Sequence, residues 1–205
     1  MPGIHSGEVF LVELLTALLF LLVVTTVVQP VLWPLWFMVV SILVVISVYD
    51  LYHFVIPDEF VWSLVVMAAV LASYQQYQMF DVWLLLYNVL AAVLAFSFFA
   101  GLWWYSSGRW IGFGDAKLAV PLGFIVSFPA VFSMLVLSFW IGAVLSLLII
   151  AYQYVQKRGQ LSYRLPARPL TIKSEVPFAP FLILGFLTVA LLHIDVLALT
   201  SYVLF

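Results

Sequence analysis

Cysteine is absent from this 205-residue chain, and charge is scarce: seven lysines and arginines and nine aspartates and glutamates, 8% charged residues in all. Without a thiol the chain can form no disulfide, no thiolate zinc site and no cysteine nucleophile. The scarcity of basic residues leaves no surface for nucleic acid, and a net charge of -2 names no partner. What replaces the missing charge is apolar. Hydrophobic residues make up 67% of the sequence and mean hydropathy is +1.25, against roughly 45–50% apolar and about 25% charged in soluble domains. These proportions predict a protein that crosses a lipid bilayer several times. The stretch Val9–Val28 has no basic region before it and no small-residue cleavage site after it, so it reads as a retained membrane helix rather than a signal peptide.

Apolar runs of spanning length predict an all-α, polytopic membrane bundle of about seven transmembrane or partly inserted helices. They fall at Val9–Val28, Leu32–Tyr52, Glu59–Tyr74, Val82–Tyr105, Asp115–Phe128, Val131–Tyr154 and Pro177–Leu192, with the tail from Ile194 unassigned. The third and fifth are short enough to be tilted or partly inserted. Pro30, Pro57 and Pro129 sit at boundaries, and Pro121 predicts a kink inside the fifth segment. No repeat, linker or second domain interrupts residues 1–205, which read as one membrane-embedded domain containing a basic loop at residues 156–175.

Positive charge orients the bundle. Lys157, Arg158, Arg164, Arg168 and Lys173 fall in the 156–175 loop, and Arg109 and Lys117 flank the start of the fifth segment. Two crossings separate these groups, so both lie on one side, and the positive-inside rule makes that side cytoplasmic. Two crossings further back, Tyr49–Glu59 meets the same face. The opposite loops carry no lysine or arginine.

Against this background two acidic residues stand out. Asp50 ends the second apolar run and Asp115 closes Gly112-Phe113-Gly114-Asp115, 65 residues later. An acidic side chain costs about 2.5–3.5 kcal/mol at a membrane-helix centre and usually marks function. Asp115 opens a helix, where the macrodipole favours negative charge, and Lys117 is placed to help it; Asp50 ends a helix and has no such helper. Two carboxylates meeting in a poorly hydrated site would divide their titrations, one ionised and one protonated, which suits water activation by one and protonation of the leaving group by the other. The bland alternatives are a boundary carboxylate reaching water for Asp50 and a plain loop for the glycines. Asp58 and Glu59 read as a helix cap and a first-turn acid, His53 as a headgroup-level residue, and Trp33, Trp36, Trp103, Trp104 and Trp110 as interfacial belts. Glu13, one turn into the first helix, can reach the interface or pair with Lys117 or a loop arginine.

Taken in order, Tyr49-Asp50, Ile56-Pro57-Asp58 and Gly112-Phe113-Gly114-Asp115-Ala116-Lys117 resemble the bacterial type IV prepilin peptidases, membrane aspartic proteases with a Gly-x-Gly-Asp motif. The resemblance extends to Val12–Ala17 and to Val176-Pro177-Phe178-Ala179-Pro180-Phe181, with alanine at 179 where the family pattern has glycine. It implies that Asp50 and Asp115 are the catalytic pair, supported by Gly112, Gly114, Lys117, Asp58, Glu13, Pro177 and Pro180. It implies cleavage of prepilins or pseudopilins at the cytoplasmic face, with the substrate helix and the bilayer as partners and no metal or cofactor. Many members also carry a cysteine-rich zinc domain linked to N-methylation. Its absence here predicts the peptidase activity without methyltransferase activity. Presenilin-like enzymes share the two aspartate motifs but carry a Pro-Ala-Leu element lacking here, and archaeal preflagellin peptidases are a near variant. A cation-coupled transporter, the rival from another class, would place its carboxylates near the membrane midplane.

Overall fold

The structure, a computed structural model, describes residues 6–79, 82–158 and 177–196. Among these the chain is all helical. α1 spans Ser6–Thr26, α2 Trp33–His53, α3 Asp58–Met79, α4 Val82–Ser106, α5 Phe113–Val126, α6 Val131–Arg158 and α7 Ala179–Ala190, with a 3₁₀ turn at Pro30–Leu32. Five helices, α1 to α4 and α6, are long and apolar enough to cross a membrane, so this is a multi-pass membrane protein. The shorter α5 and α7 are packed into the bundle: α5 lies against α3, α4 and α7, and α7 against α2, α5 and α6.

Seven helices appear where seven apolar runs lie, but two are longer than hydropathy indicates. α3 continues through Gln75, Gln76 and Gln78, and α6 through Gln156 and Lys157. Glutamine and lysine are good helix formers, so the helix outlasts its apolar run. The α-helix α5 passes Pro121 without a break. Most of the 156–175 loop lies outside the described residues; its first three residues, through Arg158, form the last turn of α6.

Small residues bring the central helices close, the usual device where lipid supplies no hydrophobic drive between helices. A Cβ at Gly123 of α5 would meet the Ala91 carbonyl oxygen of α4 at 3.0 Å, and one at Gly185 of α7 would meet the Met134 carbonyl oxygen of α6 at 2.9 Å. Ser138 closes the second contact, its hydroxyl donating to Met134 O at 2.7 Å within α6. Around these crossings sit Phe99, Leu118, Leu122, Met134, Leu182 and Phe186, all fully buried. Trp36 belongs to this core and not to an interfacial belt: it is buried and stacks on Phe186 at 6.3 Å. Trp104 and Trp110 are exposed, as the belt reading expects. α1 packs chiefly on α2, and the Tyr52 hydroxyl donates to Glu8 at 3.0 Å, joining the start of α1 to the end of α2.

Candidate active site

α2 ends on a histidine, His53. Phe54 takes a left-handed conformation (φ 56°) and its N–H donates to the Asp50 carbonyl at 2.9 Å, a C-cap that turns the chain into Val55-Ile56-Pro57. Pro57 cannot extend α2, and α3 begins at Asp58. The turn therefore leaves Asp50 in the final turn of α2, with its side chain buried. His53 points elsewhere. It is exposed and lies on the Tyr49 ring at 4.2 Å, consistent with a headgroup-level residue.

The second carboxylate is set by a helix start. Gly112 is the N-cap of α5, with Phe113, Gly114 and Asp115 as its first three residues. The Asp115 carboxylate turns back toward the Gly112 N–H, in the manner of the acidic half of a capping box. The two glycines have different jobs. Gly112 has φ −72° and a Cβ there would meet Asp115 Oδ2 at an ordinary 3.6 Å, so any small residue fits. A Cβ at Gly114 would come within 3.3 Å of the Ile56 side chain. The missing side chain at 114 lets α5 seat against the Ile56-Pro57 turn, and that contact draws the two acidic segments together.

Both carboxylates line one cavity of about 640 Å³, open to the outside at the end of the bundle where α2 stops and α5 begins. Each is at least 94% buried: Asp50 is 5% exposed and Asp115 6%. They are close enough for their charges to interact. A third element closes the site. The N–H of Ala179, first residue of α7, donates to Asp50 Oδ2 at 3.3 Å. Pro180 has no N–H, and those of Phe181 and Leu182 donate to the Phe178 carbonyl, so the positive end of α7 presents one free amide to Asp50. Asp50 thus has the helper that its position at a helix C-terminus appeared to deny it, and the helper is a helix N-terminus.

Lys117 also differs from expectation. Its ammonium does not serve Asp115 or Glu13; it bonds both oxygens of Asp58, at 2.8 and 2.9 Å, and lies 5.6 Å over the Phe113 ring. Asp58 is accordingly the first residue of α3 with its side chain in an ion pair across to α5, where capping and solvation were expected.

The structure brings Asp50, Asp58, Gly112, Gly114, Asp115, Lys117 and Pro177 to the cavity wall. It does not bring Glu13 there: this side chain is exposed on α1 with no ion pair to a described residue. Pro180 is also off the wall, its part being the amide it withholds. Sequence reasoning missed Arg109 and Trp110 as wall residues, and the Ala179 amide as a partner of Asp50. A backbone N–H leaves no trace in side-chain pattern; the proline after it was the one available signal. Among the described residues no cluster of three or more histidines and acids could hold a metal.

The arrangement can do one kind of chemistry well. Two buried carboxylates, one held by the Ala179 amide and the other beside the Gly112 amide, face an open cavity at the mouth of an apolar bundle. No curated protein and no solved structure gives a match to the chain. A family profile does match over residues 37–147, which include both aspartates and slightly more than half the sequence. The chain belongs to the type IV leader peptidase family.

Proposed function

We propose that this protein is an aspartic endopeptidase that removes the leader peptide of type IV prepilins or pseudopilins at the cytoplasmic membrane face. One observation carries the reading: Asp50 and Asp115, 65 residues apart, line a single cavity. Membership of a peptidase family supports the reaction type.

In this mechanism one carboxylate, ionised, takes a proton from water as it attacks the scissile carbonyl. The other, protonated, gives its proton to the carbonyl oxygen; the proton taken from water then passes to the leaving amine as the C–N bond breaks, and a hydroxyl of the tetrahedral intermediate returns a proton to the second carboxylate. Repulsion between two carboxylates in one buried site keeps a single proton between them. The Ala179 amide holds Asp50 in place without consuming both of its oxygens, and the Gly112 amide lies beside Asp115. Asp58 and Lys117 act indirectly, by tying α3 to α5 beside the pair.

The cavity wall also fits the substrate. With the ion-paired Asp58 and Lys117 set aside, Asp50, Glu59 and Asp115 outnumber Arg109, so the surplus is negative even with one proton on the aspartate pair and suits a short basic leader. Lys157 and Arg158 at the end of α6, with Arg109 and Lys117, favour the cytoplasmic side for this end. A transporter site is disfavoured because both aspartates lie at helix ends rather than mid-helix.

The test is co-expression with a prepilin and measurement of leader removal by intact mass. Wild type should release the leader, and Asp50→Asn and Asp115→Asn should not, while inserting normally. Wild-type inactivity toward several prepilins would contradict the reading.

A further inference from the structure

The cavity does not end at its charged wall. Trp110, Ile111 and Phe178 form a shared partition, and on its far side lies a second space of about 510 Å³. That space is walled by Leu102 of α4, Phe139, Gly142, Ala143 and Ser146 of α6 and Phe181 of α7. Ser146 supplies the one side-chain hydroxyl in this wall, and no ionisable group lines it.

We propose that this groove receives the apolar helix of the substrate, immediately C-terminal to the scissile bond; the assignment rests on the peptidase reading above and adds the seat of the membrane segment to it. Three observations select that occupant. The first is continuity: the partition residues touch both spaces, so a polypeptide lying across Trp110 and Phe178 has one end at the carboxylates and the other in the groove. The second is the change in chemistry along that path, from a charged wall to an apolar one, which matches a chain passing from a polar leader into a membrane helix. The third is the shape of α6. Gly142 is already covered by Phe181, which comes within 3.2 Å of where its Cβ would be, but the next residue, Ala143, is both small and exposed, so a second helix can approach closely there.

α1 offers an exposed apolar face, Leu14 and Leu18 among it, but it packs chiefly on α2 and lines neither space, so it serves as the control surface.

The absence of native cysteine makes the test direct. Ala143→Cys and Leu18→Cys, each in an Asp50→Asn background to prevent turnover, are co-reconstituted with a prepilin carrying one cysteine in the first two turns after the scissile bond, then oxidised. Ala143 is exposed, so its substitution displaces nothing. The groove predicts a disulfide adduct from Ala143→Cys at least tenfold above that from Leu18→Cys. Equal adducts, or adducts from α1 alone, would overturn it. A second arm uses Ala143→Trp with aspartates intact, on the membrane-anchored prepilin and on a soluble peptide ending two residues after the scissile bond. Cleavage of the anchored substrate should fall at least tenfold through KM, with the soluble peptide unaffected. Equal slowing of both, or of neither, would also overturn the groove. Cleavage by neither wild type nor variant would instead defeat the peptidase reading itself.

Discussion

Asp58 and Lys117, 59 residues apart, form a two-pronged ion pair at 2.8 and 2.9 Å that fastens the start of α3 to the first turns of α5. Both partners are well exposed, with side-chain accessibilities of 57% and 38%. Exposed pairs of this kind contribute roughly 0–1 kcal/mol to stability. Its consequence is one of position: it fixes the turn that follows Asp50 against the helix that carries Asp115.

Lys117→Met should therefore leave thermal stability in detergent within a few degrees of wild type yet slow cleavage several-fold. Asp58→Asn should do the same, and the double variant should be no slower than either single one. A cycle of the four proteins, measured for melting and for rate, checks this. Rate losses that multiply would mean the two residues act separately.

The two glycines of the acidic motif should behave differently. Gly114→Ala puts a methyl group 3.3 Å from Ile56, and overpacking at such a contact costs about 1–3 kcal/mol. Activity should fall at least tenfold and recover in part when Ile56→Ala is added. Gly112→Ala, with φ −72° and room for its methyl, should lose far less. Melting and rate in the same preparations separate the two positions.

Gly185 tests the fold away from the carboxylates. A Cβ there would collide with the Ser138 side chain and come within 2.8 Å of the Ser138 backbone nitrogen, and a backbone neighbour cannot rotate aside. Gly185→Leu should separate α6 from α7 and lower the melting temperature more than any active-site substitution. It should also reduce the yield of folded protein, as gel filtration in detergent would record.

Much of this architecture was legible in the sequence because lipid enforces a simple rule. A backbone in hydrocarbon must satisfy itself, so each long apolar run becomes a helix, and all seven runs did. Helix ends were less legible: Gln75, Gln76 and Gln78, and Gln156 and Lys157, are polar, yet prolong α3 and α6. The meeting of Asp50 and Asp115 could be anticipated from crossing parity, which returns both segments to one end. The partners of those groups could not. Lys117 had two acidic candidates, Asp115 beside it in sequence and Glu13 on α1, and bonds a third, Asp58; Asp50 is met by a backbone amide 129 residues away. Trp36 read as interfacial because composition does not tell which face of α2 turns inward. Asn88 is a remaining curiosity of α4: it is buried and its Oδ1 has no hydrogen-bond partner, and nothing in the structure explains it.

The account turns on Asp50 and Asp115 working on one water as a unit. Asn at either position keeps an oxygen for the Ala179 or Gly112 amide, so both substitutions should preserve the fold. The decisive measurement is the single-turnover cleavage rate of purified Asp50→Asn, Asp115→Asn and the double variant on one prepilin. Groups that act together are not additive, so each single variant should fall on the order of 10²–10⁴-fold, and the double variant no further. A single variant that cleaves at close to the wild-type rate, or two losses that multiply in the double variant, would contradict it.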